Sequence, residues 1–322
     1  MLRLPDAWTW DFWLADTGSE YHLFFLRAPR TLRDPDLHHG RASVGHAVST
    51  DLFDWTLLTD ALVKSDSPAF DDLATWTGSV VQDRDGVWRM FYTGVSEREG
   101  AWVQRIGFAT STDLITWDKH PDNPILGPDR RWYEVRGEST SGDEAWRDPW
   151  VFADPGGDGW HMLITARAGH GTFAERGVVG HARSADLLHW EAGPPLSAPD
   201  SGFGQLEVCQ VEIVDGRPVL VFCCTRDALA GERLASGSPG GTYVAAAESL
   251  VGPFDIRAAT QLTDDALYAG RLVRNRAGGW VLLAFHNRGR DGRFVGCLSD
   301  PMPVAWRDSR LALRDPPAPP PE

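Results

Sequence analysis

The sequence predicts an all-β protein that folds as a single five-bladed β-propeller. Three observations lead to this prediction: a short pattern recurs five times, a β-branched or aromatic run precedes each copy, and the copies begin 51 to 73 residues apart. A period of this size indicates an array of supersecondary units, none of which can bury its hydrophobic face alone. Small strands, turn residues and one closing aromatic per unit fit four-stranded propeller blades. A β-sandwich with coincidental internal similarity is the alternative.

The recurring pattern is a strand of small residues, a Ser-x-Asp-Leu or related turn, and an aromatic residue. Its copies are VGHAVSTDLFDW at 44–55, IGFATSTDLITW at 106–117, VGHARSADLLHW at 179–190, YVAAAESLVGPF at 243–254 and FVGCLSDPMPVAW at 294–306. The upstream runs, which read as buried strands, lie at 22–26, 87–95, 160–166, 218–224 and 280–286. We therefore predict one catalytic domain over residues 1–310, without long helices, and a proline-rich tail over 311–322.

Composition restricts the class of ligand. The 322 residues are 42% apolar, with 15 Trp and 33 Gly, which is typical of a compact, turn-rich β protein. Some tryptophans are expected in the core between blades and others against a sugar ring. The formal net charge of −14 argues against nucleic acid and anionic membranes as partners and favours a neutral ligand.

The cysteines and the N-terminal segment bear on location. Cys209, Cys223, Cys224 and Cys297 lack metal-binding spacing and are interpreted as reduced, buried thiols. The chain starts without a signal-peptide pattern, and no run approaches 18 apolar residues. We expect a cytoplasmic protein without a membrane partner.

Histidines and glycines indicate neither a metal nor a cofactor. The histidines are scattered over different units without short ligand spacing, and no glycine-rich phosphate loop is present. His46 and His181 occupy equivalent repeat positions, which suggests a structural hydrogen bond.

In the first unit, Asp11 lies among aromatic residues, namely Trp8, Trp10, Phe12 and Trp13. A carboxylate in such surroundings is costly unless it is paired or takes part in chemistry. The alternative is an aspartate that caps a strand at a turn. The polar segment 27–43 that follows the first predicted strand is interpreted as a loop on one face.

The second and third units each begin with a tryptophan and polar residues. Trp76 and Ser79 precede the strand of the second unit, and the third opens with Trp146, Arg147, Asp148 and a second tryptophan, Trp150. Asp148 is thus a second carboxylate in an aromatic frame. Arg147 either keeps neighbouring carboxylates ionised or forms a structural salt bridge. The Arg-Asp-Pro at 33–35 lacks the tryptophans and is not interpreted as functional.

The fourth unit contributes Glu207. Strand alternation places it on one face with Cys209, Val211 and Ile213, and places Glu212 on the other face. Burial among apolar neighbours raises the pKa of a carboxyl group and prepares it to donate a proton. The alternative is a solvent-exposed glutamate on an edge strand. In the fifth unit, Tyr268 opens the stretch 268–271 that precedes Leu272 and Val273.

Asp11, Asp148 and Glu207 therefore each begin the innermost strand of a different unit, and equivalent ends of inner strands face the same channel mouth. Paired carboxylates of this kind suit cleavage of a glycosidic bond, and we predict these three as catalytic. Trp150 is a further candidate to line the predicted pocket. The residues predicted to bind substrate are Trp10, Trp13, Trp76, Ser79, Trp146, Arg147 and Tyr268.

These motifs carry a family resemblance. Trp10-Asp11, WTGS at 76–79, WRDP at 146–149 and Leu206-Glu207-Val208-Cys209 resemble glycoside hydrolase family 32 and its relative family 68, which are built on a five-bladed propeller. The resemblance implies that Asp11 is the nucleophile, Asp148 the transition-state stabiliser and Glu207 the acid/base. Asp11 lacks the usual preceding Asn, the usual Glu-Cys pair is interrupted by Val208, and the chain ends too soon for the common C-terminal β-sandwich.

The resemblance implies cleavage of β-fructofuranosyl linkages in a small oligosaccharide or disaccharide, such as a fructooligosaccharide, sucrose or a difructose-type substrate, with retention of configuration. Retention needs carboxyl groups about 5–5.5 Å apart and inversion about 6.5–9.5 Å. The alternatives are an inverting arabinofuranosidase or xylosidase of the family 43 type and a non-catalytic carbohydrate-binding propeller. Linkage, hydrolysis versus transfer, and oligomeric state stay open.

Overall fold

The computed structural model describes residues 1–137 and 144–314, with only the backbone for residues 100–102. These residues form five antiparallel sheets, four of four strands and one of five. The first three sheets contain β1 Ala7–Asp16, β2 Tyr21–Pro29, β3 Ser43–Ser49, β4 Thr56–Leu57, β5 Ala74–Gln82, β6 Trp88–Ser96, β7 Gly100–Ser111, β8 Asp118–Lys119, β9 Trp146–Ala153, β10 Trp160–Arg167, β11 Gly177–Ser184 and β12 Glu191–Gly193. The last two contain β13 Glu207–Val214, β14 Arg217–Thr225, β15 Gly240–Ala246, β16 Thr260–Gln261, β17 Leu267–Arg274, β18 Trp280–Arg288, β19 Phe294–Leu298, β20 Met302–Arg307 and β21 Arg310–Leu313.

The five sheets are the blades of a closed propeller. The first strand of each sheet lies at its inner edge and contacts the first strand of the next, in the order β1, β5, β9, β13, β17 and back to β1. At the closure, Leu2 forms an antiparallel bridge with Leu298, so the segment before the first blade pairs with the fifth. The predicted five-bladed propeller is confirmed.

The sequence repeats correspond to fixed positions within the blades. The predicted β-branched runs are the second strands, β2, β6, β10, β14 and β18, and the recurring pattern supplies β3, β7, β11, β15 and β19. Helical structure is slight in the described residues: their α-helix is Gly231–Ala235, and their 3₁₀ turns are Arg30–Leu32, Pro35–Leu37, His39–Arg41, Phe173–Glu175 and Arg226–Ala228. Within residues 1–137 and 144–314, no helix has the length and apolar character needed to cross a bilayer.

The serine of the Ser-x-Asp-Leu turn forms the same hydrogen bonds in the first three blades, and the bond from the closing tryptophan occurs in the second and third blades. In the third blade, the Ser184 hydroxyl donates to the Asp186 carboxylate at 3.1 Å and accepts from the Leu187 amide at 2.8 Å. Leu187 adopts a positive φ of 65°, and its carbonyl accepts from the Trp190 indole at 3.2 Å. The motif thus ends the third strand and fixes the closing tryptophan against the blade.

Hydrophobic residues of adjacent blades form the core. Trp13 packs on Phe24 inside one cluster that spans the first, second, fourth and fifth blades. Residues Leu311–Leu313 of the predicted tail belong to β21. The rest of that tail, from residue 315 onward, lies outside the described residues.

Candidate active site

Each of the five inner strands contains a β-bulge near its first third. The register shifts occur at Asp11 in β1, Thr77 in β5, between Arg147 and Trp150 in β9, between Glu207 and Gln210 in β13, and between Tyr268 and Arg271 in β17. A bulge inserts one residue and redirects the neighbouring side chains. The repeated bulges therefore turn side chains from separate blades toward one end of the central channel.

Backbone strain accompanies three of these bulges. Asp148, Val208 and Ala269 have positive φ values of 59°, 55° and 49°. This left-handed region is unfavourable for residues other than glycine, and most of all for a β-branched residue such as Val208. Strained conformations of this kind persist where the surrounding structure holds them, and they concentrate at functional sites.

Asp11 is partly exposed at the channel mouth. Its Oδ2 accepts a hydrogen bond of 2.6 Å from the Thr77 hydroxyl of the next blade. Burial, followed by the negative charge of Asp148, raises the pKa of Asp11 to about 7. The hydrogen bond from Thr77 opposes this rise because it stabilises the ionised carboxylate.

Asp148 is buried and held from several sides. Its Oδ2 accepts hydrogen bonds from the Thr165 hydroxyl at 2.8 Å and the Val208 amide at 3.2 Å, and its own amide donates to the Thr93 hydroxyl at 3.0 Å. Burial raises the pKa of this carboxyl group, and the Arg147 guanidinium, 3.6 Å away, opposes the rise. Asp148 therefore has a fixed orientation beside a cation.

Glu207 lies at the mouth with about a fifth of its side chain exposed. Arg147 donates to its Oε1 at 2.6 Å, and the Tyr268 hydroxyl donates to its Oε2. Arg147 also donates to Gln205 at 3.1 Å. The structure thus brings Asp11, Asp148, Glu207, Arg147 and Tyr268 together, with electrostatic coupling among the three carboxylates.

The prediction of which residues share the face of Glu207 was wrong. Glu207 pairs with Cys223 and Gln210 with Val221, so the bulge adds one residue and puts Gln210 and Glu212, not Cys209, on the face of Glu207. Ile213 is accordingly half-exposed. Burial raises the pKa of Glu212 to about 7.

Glu212 nevertheless lies far along the strand from the three carboxylates. It lines a cavity of about 240 Å³ to which the later residues of the inner strands contribute, at the opposite end of the channel. Trp150, predicted for the pocket wall, belongs to this cavity. It is therefore displaced from the predicted pocket.

The predicted tryptophan wall is corrected in part. Trp13 and Trp146 are fully buried, and Trp146 packs on Tyr133 with ring centroids 4.8 Å apart. These two side chains are core, with no surface for a sugar. Ser79 is also buried, and its hydroxyl accepts from the Val151 amide at 3.0 Å, which is a structural role.

Trp10 and Trp76 lie near the mouth and are joined by a histidine that the sequence did not indicate. The Trp76 indole donates to the His39 carbonyl at 2.8 Å, and the ring centroids of Trp10 and His39 are 6.1 Å apart. The residue His39 as a whole is exposed, but its imidazole lies against protein, and burial of the ring, then His38 and Arg147, lower its pKa to about 3. Exposure to solvent combined with surrounding protein is typical of a pocket wall.

Three further polar residues at the site were also missed. Thr77 bonds Asp11, Thr165 bonds Asp148, and Gln205 bonds Arg147. Thr77 lies in the WTGS motif, which was a signal that could have identified it. Thr165 and Gln205 carry no comparable sequence signal.

A five-bladed propeller that gathers two aspartates and a glutamate at one channel mouth defines the class of the propeller glycoside hydrolases. The sequence model of the glycosyl hydrolases family 32 N-terminal domain matches residues 13–292, and the chain belongs to this family. Asp148 and Glu207 lie within the match, whereas Asp11 lies just before its start.

Two similar proteins are plant enzymes. Beta-fructofuranosidase, insoluble isoenzyme 3, of Oryza sativa subsp. indica is 32% identical over 187 residues, which cover 56% of this chain and 28% of the relative. The insoluble isoenzyme CWINV6 of Arabidopsis thaliana is 31% identical over 205 residues, covering 61% and 34%. The chain thus matches about a third of the length of these curated relatives.

Solved structures share the fold. The inulosucrase from Halalkalicoccus jeotgali bound to kestose has a TM-score of 0.78 at 22% identity, covering 97% of this chain and 90% of that chain. The Bombyx mori GH32 beta-fructofuranosidase BmSUC1 has a TM-score of 0.73 at 20% identity, covering 97% and 64%.

Proposed function

We propose that this protein cleaves β-fructofuranosyl linkages of small fructosides with retention of configuration. The observation that carries the proposal is the convergence of Asp11, Asp148 and Glu207 at one mouth, with Arg147 and Tyr268 both bonded to Glu207. Family membership supports the same chemistry. The three carboxylates and their polar partners favour a catalytic site over a propeller that only binds sugars.

In the first step, the Asp11 carboxylate attacks the anomeric carbon of the fructosyl unit while Glu207 donates a proton to the departing oxygen. The product is a covalent fructosyl ester at Asp11 and a free alcohol. Asp148, held by Thr165 and the Val208 amide, accepts hydrogen bonds from sugar hydroxyls. In the second step, Glu207 takes a proton from the incoming water or alcohol, which displaces Asp11.

The proposed first step needs a proton on Glu207 and an ionised Asp11. Burial and the negative charge of Asp148 raise the pKa of Asp11 to about 7, and burial also raises the pKa of Asp148. Asp11 holds a proton near neutral pH without substrate, because burial and Asp148 disfavour its ionised form. We propose that this proton resides on Glu207 when Asp11 attacks.

The substrate class is a fructooligosaccharide, sucrose or a difructose-type compound. Two observations support it: relatives are named beta-fructofuranosidases, and a structural neighbour is an inulosucrase bound to kestose. Because that neighbour is an inulosucrase, the assay should also detect products of fructosyl transfer. A panel of sucrose, inulobiose, levanbiose, difructose anhydrides and aryl arabinofuranosides, scored for hydrolysis and transfer products, would identify the substrate.

Configuration at the anomeric centre separates this proposal from an inverting enzyme. ¹³C NMR of the anomeric C2 signal at early times should show the β-fructofuranose anomer as first product. An α-anomer, or activity confined to the arabinofuranosides, would favour the family 43 type instead. No activity on the whole panel would favour a binding propeller.

Two variants should separate the roles of the carboxylates. Glu207→Gln should lower turnover about 10²- to 10⁴-fold on substrates with poor leaving groups and much less on activated aryl fructosides. Asp11→Asn should abolish turnover on both kinds of substrate, because no leaving group compensates for a missing nucleophile. Glu212→Gln is the matched control, since Glu212 lies on the same strand face at the other channel end. If Glu212→Gln shows the loss and Glu207→Gln does not, the assignment fails.

We also propose a cytoplasmic location, supported by four free, buried cysteines. Burial raises the pKa of Cys209 and Cys223 and keeps these thiols protonated. Fractionation of the native host with an antibody would test the location, and recovery outside the cytoplasm would contradict it.

A further inference from the structure

Arg271 is a buried arginine whose guanidinium contacts the strands that carry all three carboxylates. Its Nε lies 3.3 Å from the carbonyl of Phe12, the residue after Asp11, and its Nη1 lies 3.2 Å from the carbonyl of Val208, the residue after Glu207. The guanidinium also stacks on Trp150, two residues beyond Asp148, at 4.8 Å from the ring centroid. One side chain from the fifth blade therefore connects the first, third and fourth blades directly beneath the site.

The bulge in β17 makes this arrangement possible. Tyr268 pairs with Phe285 and Arg271 with Leu283, so one residue is added between them and both side chains share the channel face. Tyr268 bonds Glu207 at the mouth, while Arg271 reaches the strand backbones below it. Strand β17 thus contacts the side chain of Glu207, the proposed acid, through Tyr268 and supports the adjacent backbone of β13 through Arg271.

The charge of Arg271 lacks a direct partner. Only 1% of the residue is exposed, and among the described residues its guanidinium forms no ion pair with a carboxylate. A buried charge without a partner is costly unless charges nearby compensate it. Asp148 and Asp11 are the carboxylates whose charges act on Arg271 most strongly. The cation is therefore compensated by the catalytic carboxylates at longer range.

We propose that Arg271 is a positioning residue that sets the relative placement of the three catalytic carboxylates and favours the ionised form of Asp11. The proposal rests on the proposed function, because it assumes that Asp11 must be ionised to attack. The N–H groups of the Arg271 guanidinium hold the carbonyls of Phe12 and Val208, the residues after Asp11 and Glu207. The positive charge of Arg271 favours the carboxylate form of Asp11 from the closed side of the channel. Arg147 holds Glu207 and Asp148 from the open side.

The pH dependence involves a defined set of groups. Asp11 faces Asp148, Glu207 and Arg271, with the Thr77 hydroxyl bonded to it. Arg271 in turn faces Asp148, Asp11 and the Cys209 and Cys223 thiols, and it lines the same cavity as Glu212, whose pKa its charge lowers. Removing the cation removes an interaction that lowers the pKa of Asp11, so the pH at which Asp11 ionises should rise.

The kinetic test compares Arg271→Met with Arg271→Lys. Arg271→Met should lower kcat about 10²-fold, because misplaced catalytic groups cost rate, with little change in KM since Arg271 is not exposed. The acidic limb of kcat/KM should move to higher pH. Arg271→Lys keeps the positive charge but not the planar set of guanidinium donors. The acidic limb of kcat/KM should therefore return toward its position in the parent protein, while kcat should recover only in part.

Arg233→Met is the matched control. Arg233 is likewise held by backbone carbonyls, those of Arg257 at 2.7 Å and Ala259 at 3.1 Å, and stacks on Phe203 at 4.3 Å. It should cost stability and leave the acidic limb unchanged. The same result for Arg271→Met would mean that Arg271 is only structural, and it would overturn the proposal.

A second readout does not depend on turnover. NMR titration of the protein with ¹³C-labelled aspartate carboxyl groups, with the signal of Asp11 assigned from Asp11→Asn, should show a higher pKa in Arg271→Met and a partial return in Arg271→Lys. An unchanged titration of Asp11 in a folded variant overturns the proposal. If the parent protein cleaves no fructoside, the proposed function fails, and the titration still decides whether Arg271 controls Asp11.

Discussion

Thr77 is the residue whose hydroxyl directly stabilises the ionised form of Asp11, through a hydrogen bond of 2.6 Å. Thr77→Val should remove this bond while keeping the shape of the side chain. A hydrogen bond to a charged group contributes about 1.5–3 kcal/mol. Its loss should raise the pKa of Asp11 further above its usual range by about one to two units. The acidic limb of kcat/KM, which reports Asp11 in the free enzyme, should move to higher pH by that amount.

Thr75 provides the control on the same strand. It is fully buried, and its hydroxyl has no hydrogen-bond partner among the described residues. Thr75→Val should leave the acidic limb in place and should not destabilise the protein. If both variants move the limb equally, the effect comes from the strand and not from the hydrogen bond to Asp11.

At the residue scale, the sequence identified the carboxylates better than their surroundings. Asp11 and Asp148 stood out because acidic side chains are rare among tryptophans, and the repeats placed them at equivalent strand positions. The roles assigned to all three carboxylates remain predictions. Trp13 and Trp146 were wrongly predicted to bind substrate, because a sequence does not show whether an aromatic side chain packs in a core or against a sugar.

At the scale of the strand, the bulges limited what could be predicted. Alternation assigns faces only while each residue has one partner across the ladder. Between Glu207 and Gln210 the bulge adds one residue, so every later side chain of β13 changes face. Nothing in LEVCQVEIV marks the extra residue, since Val208 is a residue that rarely adopts the positive φ it has there. The pattern predicted the strand correctly and the face wrongly.

The turns between the third and fourth strands were predictable because their chemistry is local. Ser49, Ser111 and Ser184 each accept a hydrogen bond of 2.8–2.9 Å from the amide of the leucine three residues later. Serine and aspartate side chains that bond nearby amides define such turns from sequence alone. The structural hydrogen bonds of His46 and His181 were predictable for another reason, their equivalent repeat positions: His46 bonds His22 at 3.0 Å, and His181 bonds His161 at 2.8 Å.

Each serine of these turns should contribute similarly to stability. Ser184→Ala leaves the buried Leu187 amide without its acceptor, which costs about 1–3 kcal/mol. The same change at Ser49 and Ser111 should cost as much, and the three losses should add because the turns lie in different blades. Urea unfolding followed by tryptophan fluorescence would measure them.

Ser19→Ala is the surface control for these variants. Ser19 is exposed, and its hydroxyl contacts the Thr17 hydroxyl at 3.2 Å. It should change the free energy of unfolding by less than about 0.5 kcal/mol. Equal effects at Ser19 and Ser184 would show that the turn hydrogen bonds do not contribute.

At the scale of the whole molecule, the number of repeats fixed the number of blades, since each unit needs neighbours on both sides to cover its faces. How the ring closes did not follow from the repeats. The segment before β1 lies outside the repeating pattern, yet Leu2 bridges Leu298 and both Leu2 and Leu4 are buried with Leu283 against the fifth blade. The closure depends on tertiary contacts that have no local signature.

The closure predicts a weak point in the ring. The pair of substitutions Leu2→Ala and Leu4→Ala removes buried side chains that are 7% and 3% exposed, and each should cost about 2–5 kcal/mol. The loss should appear first as local opening between the first and fifth blades. Hydrogen exchange at the Leu298 amide, which donates to the Leu2 carbonyl at 3.0 Å, should accelerate more than exchange in β10 or β14.

Leu229→Ala distinguishes opening of the ring from general destabilisation. Leu229 is 4% exposed and lies in the fourth blade, away from the closure. Its replacement should lower the free energy of unfolding by about 2–5 kcal/mol as well, while the Leu298 amide keeps its protection relative to the other strands. If Leu2→Ala with Leu4→Ala accelerates exchange evenly in all five blades, the ring opens as one cooperative unit and the closure is no weaker than the other blade interfaces.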